Sequence, residues 1–466
     1  MHPDYILKKL EGRKVIILGY GREGSSSYHF LRRHFPTMPV TVADKSDKLL
    51  QEKDFQDDPN VTLITGEAYD RNLNDYDLIL KSPGISFNKL DYLVESEKIS
   101  SQTDLFLQAF HAQVVGVTGT KGKSTTSSLI YHLFHEAGRE TVLAGNIGVP
   151  LFDVVEKMTP QTVVVAELSA HQLEFIHRSP DYAVLLNIYQ EHLDHFNSFN
   201  NYQIAKINIA RFQEERQFFV YNGDDYLIPN LIQSYDLNRD RVIFGTQHHA
   251  GIHALCDDHV VRFYNGSTLL DEYDLKEHTH LPGRHNYFNI MAAVAVARHF
   301  GLSHEEILQG LSSFRGLPHR LEMVGKYQDI IFYNDSISTI PEAAIAAVKA
   351  LRKVDTLILG GFDRGIDYTG LIDYLGENPV RNIAFTGPAG ERILSEWQAT
   401  ALPLPEHYIL EEDYRKIVAF AFEHTAPNKV VLLSPAAASY NQFKNFEERG
   451  DLFKQYIVEY AKDHNL

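Results

Sequence analysis

Val117-Thr118-Gly119-Thr120-Lys121-Gly122-Lys123-Ser124-Thr125 is the stretch on which the reading of this chain turns. The apolar run Val114-Val115-Gly116-Val117 leads into it, and a segment with helical character, Ser124 to Glu136, leads out. Strand, glycine-bearing turn and helix in that order build a phosphate loop. The glycines let the main chain bend round an anion, and the N–H groups at the helix start point at it. In such a loop Lys123 reaches the β- and γ-phosphates of a nucleotide, and the hydroxyl of Ser124 or Thr125 faces Mg²⁺. The core is Gly-x-x-Gly-Lys-Ser, shorter than the full Walker spacing. A plain glycine turn capped by a hydroxyl is the competing reading, and the strand–loop–helix context favours the phosphate loop.

Two later segments bear on the same site. The apolar run Thr162–Ala166 ends in Glu167-Leu168-Ser169, and the run Tyr182–Leu186 ends in Asn187, followed by Glu191-His192-Leu193-Asp194-His195. Open parallel sheets bind ligands outside the carboxyl ends of their strands. Three strands thus deliver a phosphate loop, a carboxylate and a His/Asp cluster to one edge. Mg²⁺ prefers oxygen donors, which suits Glu167 and a hydroxyl, with His192 fitting only alongside a second metal. A zinc pair of His192 and His195 is another reading, although no third and fourth ligand stands at zinc-like spacing.

The remaining chain extends this pattern in both directions. Before it, Lys14–Gly19, Val40–Ala43, Val61–Ile64 and Leu78–Leu80 read as strands of an α/β unit. After it, residues 241–281 become choppier and suggest a small antiparallel addition. Helices follow at His285–Phe300 and Ser303–Leu311, the latter opened by a Ser303/Glu306 capping box. A third strand–helix series uses Asp329–Tyr333, Thr356–Leu359, Asn382–Phe385 and Val430–Leu433, with Arg315-Gly316-Leu317-Pro318 as the expected hinge. A chain of 466 residues makes about three domains at roughly 150 residues each. The expected fold is α/β with domains at 1–111, 112–316 and 317–466.

Net charge is −17, which argues against a general nucleic-acid binder, because phosphate backbones are held by clustered Lys and Arg. A small anion remains compatible, since local groups hold it. Cys256 is the lone cysteine and reads as an idle thiol. Met1–Leu10 lacks a signal-peptide core, and no apolar run approaches the ~20 residues of a membrane helix, so a cytoplasmic protein with no membrane partner is expected. Gly19-Tyr20-Gly21-Arg22-Glu23-Gly24, with Asp44 further on, fits G-x-G-x-x-G and a ribose-binding acid, which brings a nicotinamide-dependent oxidoreductase into consideration.

Taken together, the motifs resemble those of the Mur ligase family, in the branch that adds glutamate to a muramoyl-alanine precursor of peptidoglycan. The resemblance spans essentially the whole chain. It is carried by Thr118–Ser124, Gly145-Asn146-Ile147-Gly148, Glu167–Glu174, Glu191–Asp194, Leu281–Asn286, Leu317–Arg320, Tyr333–Ser336, Leu433–Ala436 and the ending Asn441–Gly450. It implies a Rossmann-like N-terminal domain, a central P-loop ATPase-type domain and a Rossmann-like C-terminal domain. It further implies a monomer that uses ATP and two Mg²⁺ ions to phosphorylate the carboxylate of UDP-N-acetylmuramoyl-L-alanine, whose acyl phosphate the glutamate amine attacks.

By the same resemblance, Lys123, Glu167, His192 and Lys206 are the catalytic set. The metal ligands are Ser124, Glu167, His192 and Lys206, the last as a carbamate; from the residues alone Lys206 reads as a solvated helix lysine. ATP falls to Gly119, Thr120, Lys121, Gly122, Lys123, Ser124, Thr125, Asn286, Asn289, Arg320 and Asp335, the last two completing the site on closure. The UDP-sugar falls to Gly21, Gly24, Asp44, Ser82, Gly84, Asn146, Ser169 and Gln172, and glutamate to Arg364, Ser434 and Phe443, with Lys444 a lesser helper.

Three departures stand out. Ile337 in Asn334–Pro341 replaces a lysine near the incoming amino acid, which removes a charge-assisted contact. D-glutamate is favoured, and L-glutamate remains the alternative. Lys121 stands where asparagine is usual, and Ala170-His171 where Ser-Phe is usual. Among competing readings, the oxidoreductase leaves the Lys123 loop unexplained. An idle UDP-sugar scaffold is opposed by Lys123, Glu167, His192 and Lys206, and a folate-type ligase by the ending at Asn441–Gly450.

Overall fold

The computed structural model describes residues 3–237, 240–247, 251, 253–464 and 466. The chain forms two compact units, one of residues 1–279 with 285–313, the other of 280–284 with 314–466. Among the described residues the strands assemble into three sheets.

In the first unit, β1 (Val15–Leu18), β2 (Val40–Asp44), β3 (Val61–Thr65), β4 (Leu78–Lys81) and β5 (Ile99–Ser100) pair in the order β3-β2-β1-β4-β5, all parallel. β1 is buried along its whole length, which explains its unbroken apolar sequence: a parallel strand covered on both faces has no polar side.

The second sheet is built from β6 (Val114–Thr118), β7 (Thr141–Gly145), β8 (Val163–Glu167), β9 (Tyr182–Leu185), β10 (Phe218–Asn222), β11 (Asp240–Gly245), β12 (Ala254–Asp257), β13 (Val260–Asn265) and β14 (Thr268–Asp274). Its order is β14-β13-β12-β11-β10-β9-β6-β8-β7. β6 is an interior strand between β8 and β9, and its register sets Val117 opposite Glu167. The parallel part reaches further than the sequence pattern suggests. β11 runs parallel to β10, because helix Leu227–Ser234 supplies the crossover that a parallel connection needs, and antiparallel pairing begins only at β12.

The helix after β6 spans Lys123–Glu136 and buries Leu129, Ile130, Leu133 and Phe134, each worth about 1.5–3 kcal/mol. It packs against β8 and helix His285–His299, which is buried from Asn289 to Ala297. That packing fixes where the phosphate loop points. The capping box at Ser303 and Glu306 is present in both directions, opening helix His304–Ser313.

The second unit carries β15 (Glu322–Tyr327), β16 (Ile330–Asn334), β17 (Val354–Gly360), β18 (Asn382–Thr386), β19 (His407–Leu410) and β20 (Val430–Leu433) in the order β15-β16-β20-β17-β18-β19. All neighbours are parallel except β15, which forms an antiparallel edge on β16.

Candidate active site

The chain leaves β6 at Thr118 and turns through Gly119 (φ 158°) and Gly122 (φ 85°) into helix Lys123–Glu136. Gly122 has two reasons to be glycine. Its backbone is left-handed, and a Cβ there would lie 2.3 Å from Asn289 Oδ1. The loop is braced from outside: Asn187 Oδ1 accepts from Lys121 N at 2.8 Å, Asn187 Nδ2 donates to Lys121 O at 3.0 Å, and Tyr189 N donates to Thr120 Oγ1 at 2.9 Å. Lys123 Nζ folds back onto the Gly119 and Thr120 carbonyls, 3.0 Å from each.

A cleft of about 400 Å³ opens beside this loop, bounded by Lys121, Gly122, Asn187, Tyr189, Phe288 and Asn289. Asn286 and Asn289 are both buried, joined by a 2.8 Å amide–amide hydrogen bond, and Thr126 Oγ1 donates to Asn289 Oδ1 at 3.2 Å. His285 also lines the cleft, and burial pulls its imidazole below the ordinary range. Tyr189, Phe288 and Asn222 are wall residues that no motif announced. Apolar side chains spaced along loops and helices look like core until the fold shows which face a cleft.

Glu167 ends β8 between Val117 of β6 and Gly145 of β7, one strand from the loop. It is buried to 1% exposure. Oε1 accepts from Asn146 Nδ2 at 2.7 Å, while Oε2 is buried with no hydrogen-bond partner. A buried carboxylate oxygen without a donor is costly, and a cation is the ligand that removes the penalty. Among the described residues no three His, Cys, Asp or Glu side chains are grouped to hold a metal. Mg²⁺ sites are commonly completed by one or two carboxylates, waters and substrate phosphates, and Glu167 fits that role.

Lys206 lies on helix Phe199–Arg211, 1% exposed, with Nζ donating to Gly119 O at 2.8 Å. Burial first, then the nearby Lys123 cation, drives its amine well below the ordinary lysine range. The lysine is therefore not a solvated helix residue. His192 (φ 56°) has a half-exposed ring set 4.8 Å from His171 and 6.1 Å from Tyr202. His171 also packs on His195, whose Nε2 is 3.0 Å from Glu174 Oε2. Burial and its two histidine neighbours lower His171 to about 4, keeping it neutral. Ser169 and Gln172 form a capping box: Gln172 N donates to Ser169 Oγ at 3.2 Å, and Ser169 N to Gln172 Oε1 at 2.8 Å.

In the N-terminal sheet, Gly24 is required by contact, since a Cβ would sit 2.1 Å from Gly19 O. Ser82 Oγ donates to Gly19 O at 2.7 Å. Asp44 turns toward this loop, accepting Tyr20 N at 2.7 Å and Ser46 N at 2.8 Å. Gly21 and Gly84 are exposed, with open space where a Cβ would stand.

In the second unit Asp335 is buried. Its Oδ2 accepts from Ser338 Oγ at 2.6 Å and Ser434 Oγ at 2.7 Å, and its Oδ1 from Leu321 N at 3.1 Å. Burial nevertheless lifts its carboxyl to about 6, against those hydrogen bonds and the Arg320 charge. Asp335 and Ser434 are thus brought together. Arg364 instead stacks over the Tyr440 ring at 5.5 Å, and Phe443 meets Tyr414 edge-on at 5.3 Å. Lys444 is exposed.

Comparison with known proteins agrees with this architecture. Residues 13–97 match the Mur ligase MurD-like N-terminal domain, 117–297 the Mur ligase middle domain, and 319–437 the Mur ligase glutamate ligase domain. A UDP-N-acetylmuramoylalanine–D-glutamate ligase of Desulfitobacterium hafniense is 33% identical over 465 residues, covering 97% of this chain and 99% of that protein. One of Geobacillus kaustophilus is 33% identical over 446 residues, covering 95% and 96%. Among solved structures, the UDP-N-acetylmuramate–alanine ligase MurC of Thermotoga maritima aligns at TM-score 0.56 and 17% identity, covering 97% of this chain and 100% of that one. MurF of the same organism, in complex with ADP, aligns at 0.53 and 18%, covering 97% of each. The structural likenesses establish a shared fold, and the full-length sequence identity goes further: this chain belongs to the Mur ligase family.

Proposed function

We propose that this protein is an ATP-dependent ligase that joins D-glutamate to UDP-N-acetylmuramoyl-L-alanine through an acyl phosphate. One observation carries the reading: the unpartnered oxygen of Glu167 and the buried amine of Lys206, which donates to Gly119 O, flank the strand that ends in the Gly119–Ser124 loop. The relatives named above as D-glutamate ligases support the choice of substrates.

In this reading residues 119–125 with Asn286 and Asn289 bind the ATP phosphates and purine side of the cleft. Lys123 leaves the Gly119 and Thr120 carbonyls for the phosphates. Ser124, Glu167, His192 and Lys206 would hold two Mg²⁺ ions, which would supply positive charge against the phosphates. Burial favours the neutral form of the Lys206 amine, the form that reacts with CO₂, and a carbamate there would replace a cation with an oxygen donor. Gly21, Gly24, Asp44, Ser82 and Gly84 hold the UDP part, and Asn146, Ser169 and Gln172 the muramoyl part. Arg320 and Asp335 complete the nucleotide site, and Arg364, Ser434 and Phe443 receive glutamate. The tasks divide over domains 1–111, 112–316 and 317–466 of a cytoplasmic monomer.

The reaction balances in two steps. A carboxylate oxygen of the alanyl group attacks the γ-phosphorus and ADP leaves. The glutamate nitrogen then attacks the acyl carbon, loses a proton, and inorganic phosphate departs. Positioning and charge compensation govern such transfers. Phosphate release with ATP, Mg²⁺ and UDP-N-acetylmuramoyl-L-alanine, measured with D- and with L-glutamate, tests the proposal. Release with D-glutamate is expected; release with L-glutamate alone reverses the stereochemistry, and release with neither rejects the reaction.

A further inference from the structure

Two charged residues of the Gly19–Gly24 turn, Arg22 and Glu23, extend beyond the N-terminal sheet. Arg22 reaches the central domain, donating through Nη2 to Gly148 O and through Nη1 to Asn146 O at 3.4 Å. Glu23 Oε1 accepts from Gln172 Nε2 at 2.6 Å. Because the Gln172 carbonyl oxygen already accepts Ser169 N, its amide is held at both ends. Asn146 is held likewise: its backbone N–H donates to Glu167 O at 2.9 Å and its side-chain amide to Glu167 Oε1 at 2.7 Å. The two residues therefore grip the two segments of the central domain that frame Glu167.

A second oxygen of the clasp remains open, since Glu23 Oε2 is buried and has no hydrogen-bond partner. Burial raises the Glu23 carboxyl to about 7, against the pull of Gln172, Arg22 and Lys81. Near neutrality this side chain is about half protonated, and glutamine is the isostere of its uncharged form.

A third tie lies close by. Ser26 Oγ donates to Asp153 Oδ1 at 2.7 Å, joining helix Arg22–His34, which Arg22 and Glu23 open, to the central domain. It touches neither Asn146 nor Gln172. It provides a control for bonds that merely hold the two parts together.

We propose that Arg22 and Glu23 are positioning residues for the nucleotide-sugar substrate, acting from the start of helix Arg22–His34 by fixing the Asn146–Gly148 backbone and the Gln172 amide. The inference rests on the assignment of Asn146 and Gln172 to the muramoyl part of that substrate. A Gln172 amide released from Glu23 is held only by the bond its oxygen accepts from Ser169 N, and its NH₂ end must be reordered whenever substrate binds. The loss of one such bond to a buried carboxyl is expected to be felt by the nucleotide sugar and not by ATP, whose loop follows β6, across β8 from β7 and Asn146.

The test uses the full chain and three variants, Glu23→Ala, Glu23→Gln and Ser26→Ala, with Arg22→Ala, at an exposed position, as a fourth. Calorimetry without ATP gives the Kd for UDP-N-acetylmuramoyl-L-alanine, and turnover gives the KM values for it and for ATP. Glu23→Ala is expected to weaken nucleotide-sugar binding about tenfold, the equivalent of one hydrogen bond to such a group, with the KM for ATP unchanged. Glu23→Gln keeps an acceptor for Gln172 and stays within about threefold of wild type. Arg22→Ala weakens the same constant, and Ser26→Ala leaves it unchanged. Wild-type affinity in Glu23→Ala, an equal loss in Ser26→Ala, or a parallel rise in the KM for ATP overturns the inference. Wild-type protein that binds the nucleotide sugar but releases no phosphate overturns the proposed reaction, while the Kd series still decides this inference; protein that does not bind it overturns both.

Discussion

Helix Lys123–Glu136 has a left-handed glycine at each end, Gly122 before it (φ 85°) and Gly138 after it (φ 69°), and the two make a matched pair for substitution by alanine. A left-handed alanine costs about 1–2 kcal/mol, and the stiffer unfolded chain returns about 0.4–1 kcal/mol, so conformation alone predicts a net loss near 1 kcal/mol at either site. At Gly138 nothing lies within 4 Å of the new Cβ, and that is the whole effect. At Gly122 the Cβ would stand 2.3 Å from Asn289 Oδ1. Asn289 can withdraw only by releasing its bonds with Thr126 and Asn286, which adds about 1 kcal/mol for each. Gly122→Ala should therefore lose about 3 kcal/mol where Gly138→Ala loses about 1. Scanning calorimetry of the first unit should show melting lowered by about 6 °C and about 2 °C respectively, at roughly 2 °C per kcal/mol. The KM for ATP should rise only in Gly122→Ala. Equal melting temperatures in the two variants would refute the claim that the loop is seated on Asn289.

Other substitutions probe the remaining parts. Glu167→Gln keeps an acceptor for Asn146 but removes the charge, and phosphate release should fall by about 10²–10³-fold or more, the scale of losing one electrostatic contact in a dry site. Lys206→Ala should abolish activity, and a short carboxylate added to the buffer should restore part of it; full activity without rescue would reject the carbamate. Asp335 titrates at about 6 in the folded unit against an ordinary 3.8. The folded form keeps its proton longer than the unfolded one, so stability falls as pH rises through the interval between those values and is flat above it. The fall across that interval amounts to about 3 kcal/mol. Urea unfolding of the second unit should show this slope in wild type and lose it in Asp335→Asn.

Where strand identity rests on a continuous apolar run, the sequence reading matches the fold closely: Val15–Leu18, Val114–Thr118 and Val163–Glu167 all emerge within a residue or so. The same runs place Glu167 beside the phosphate loop, because parallel register follows once the strands are adjacent. Lys206 was legible only through family resemblance. Helical periodicity marks it as one polar residue among many, and its burial depends on how the helix Phe199–Arg211 meets Gly119. Tyr189, Phe288 and Asn222 were missed for a related reason, since a local pattern does not say which side chains converge across a cleft. The extra parallel strand Asp240–Gly245 escaped because its exposed start interrupts the apolar signal. Arg364 and Phe443 were named through motifs, and their ring contacts in the second unit are with Tyr440 and Tyr414.

The most direct test of the chemistry follows an oxygen atom. With both oxygens of the alanyl carboxylate of UDP-N-acetylmuramoyl-L-alanine labelled as ¹⁸O, an acyl phosphate must pass one label to inorganic phosphate and keep the other in the new amide. Phosphate carrying one ¹⁸O for each amide bond formed, seen by the isotope shift in ³¹P spectra, is the predicted result. Turnover that yields unlabelled phosphate would contradict the account.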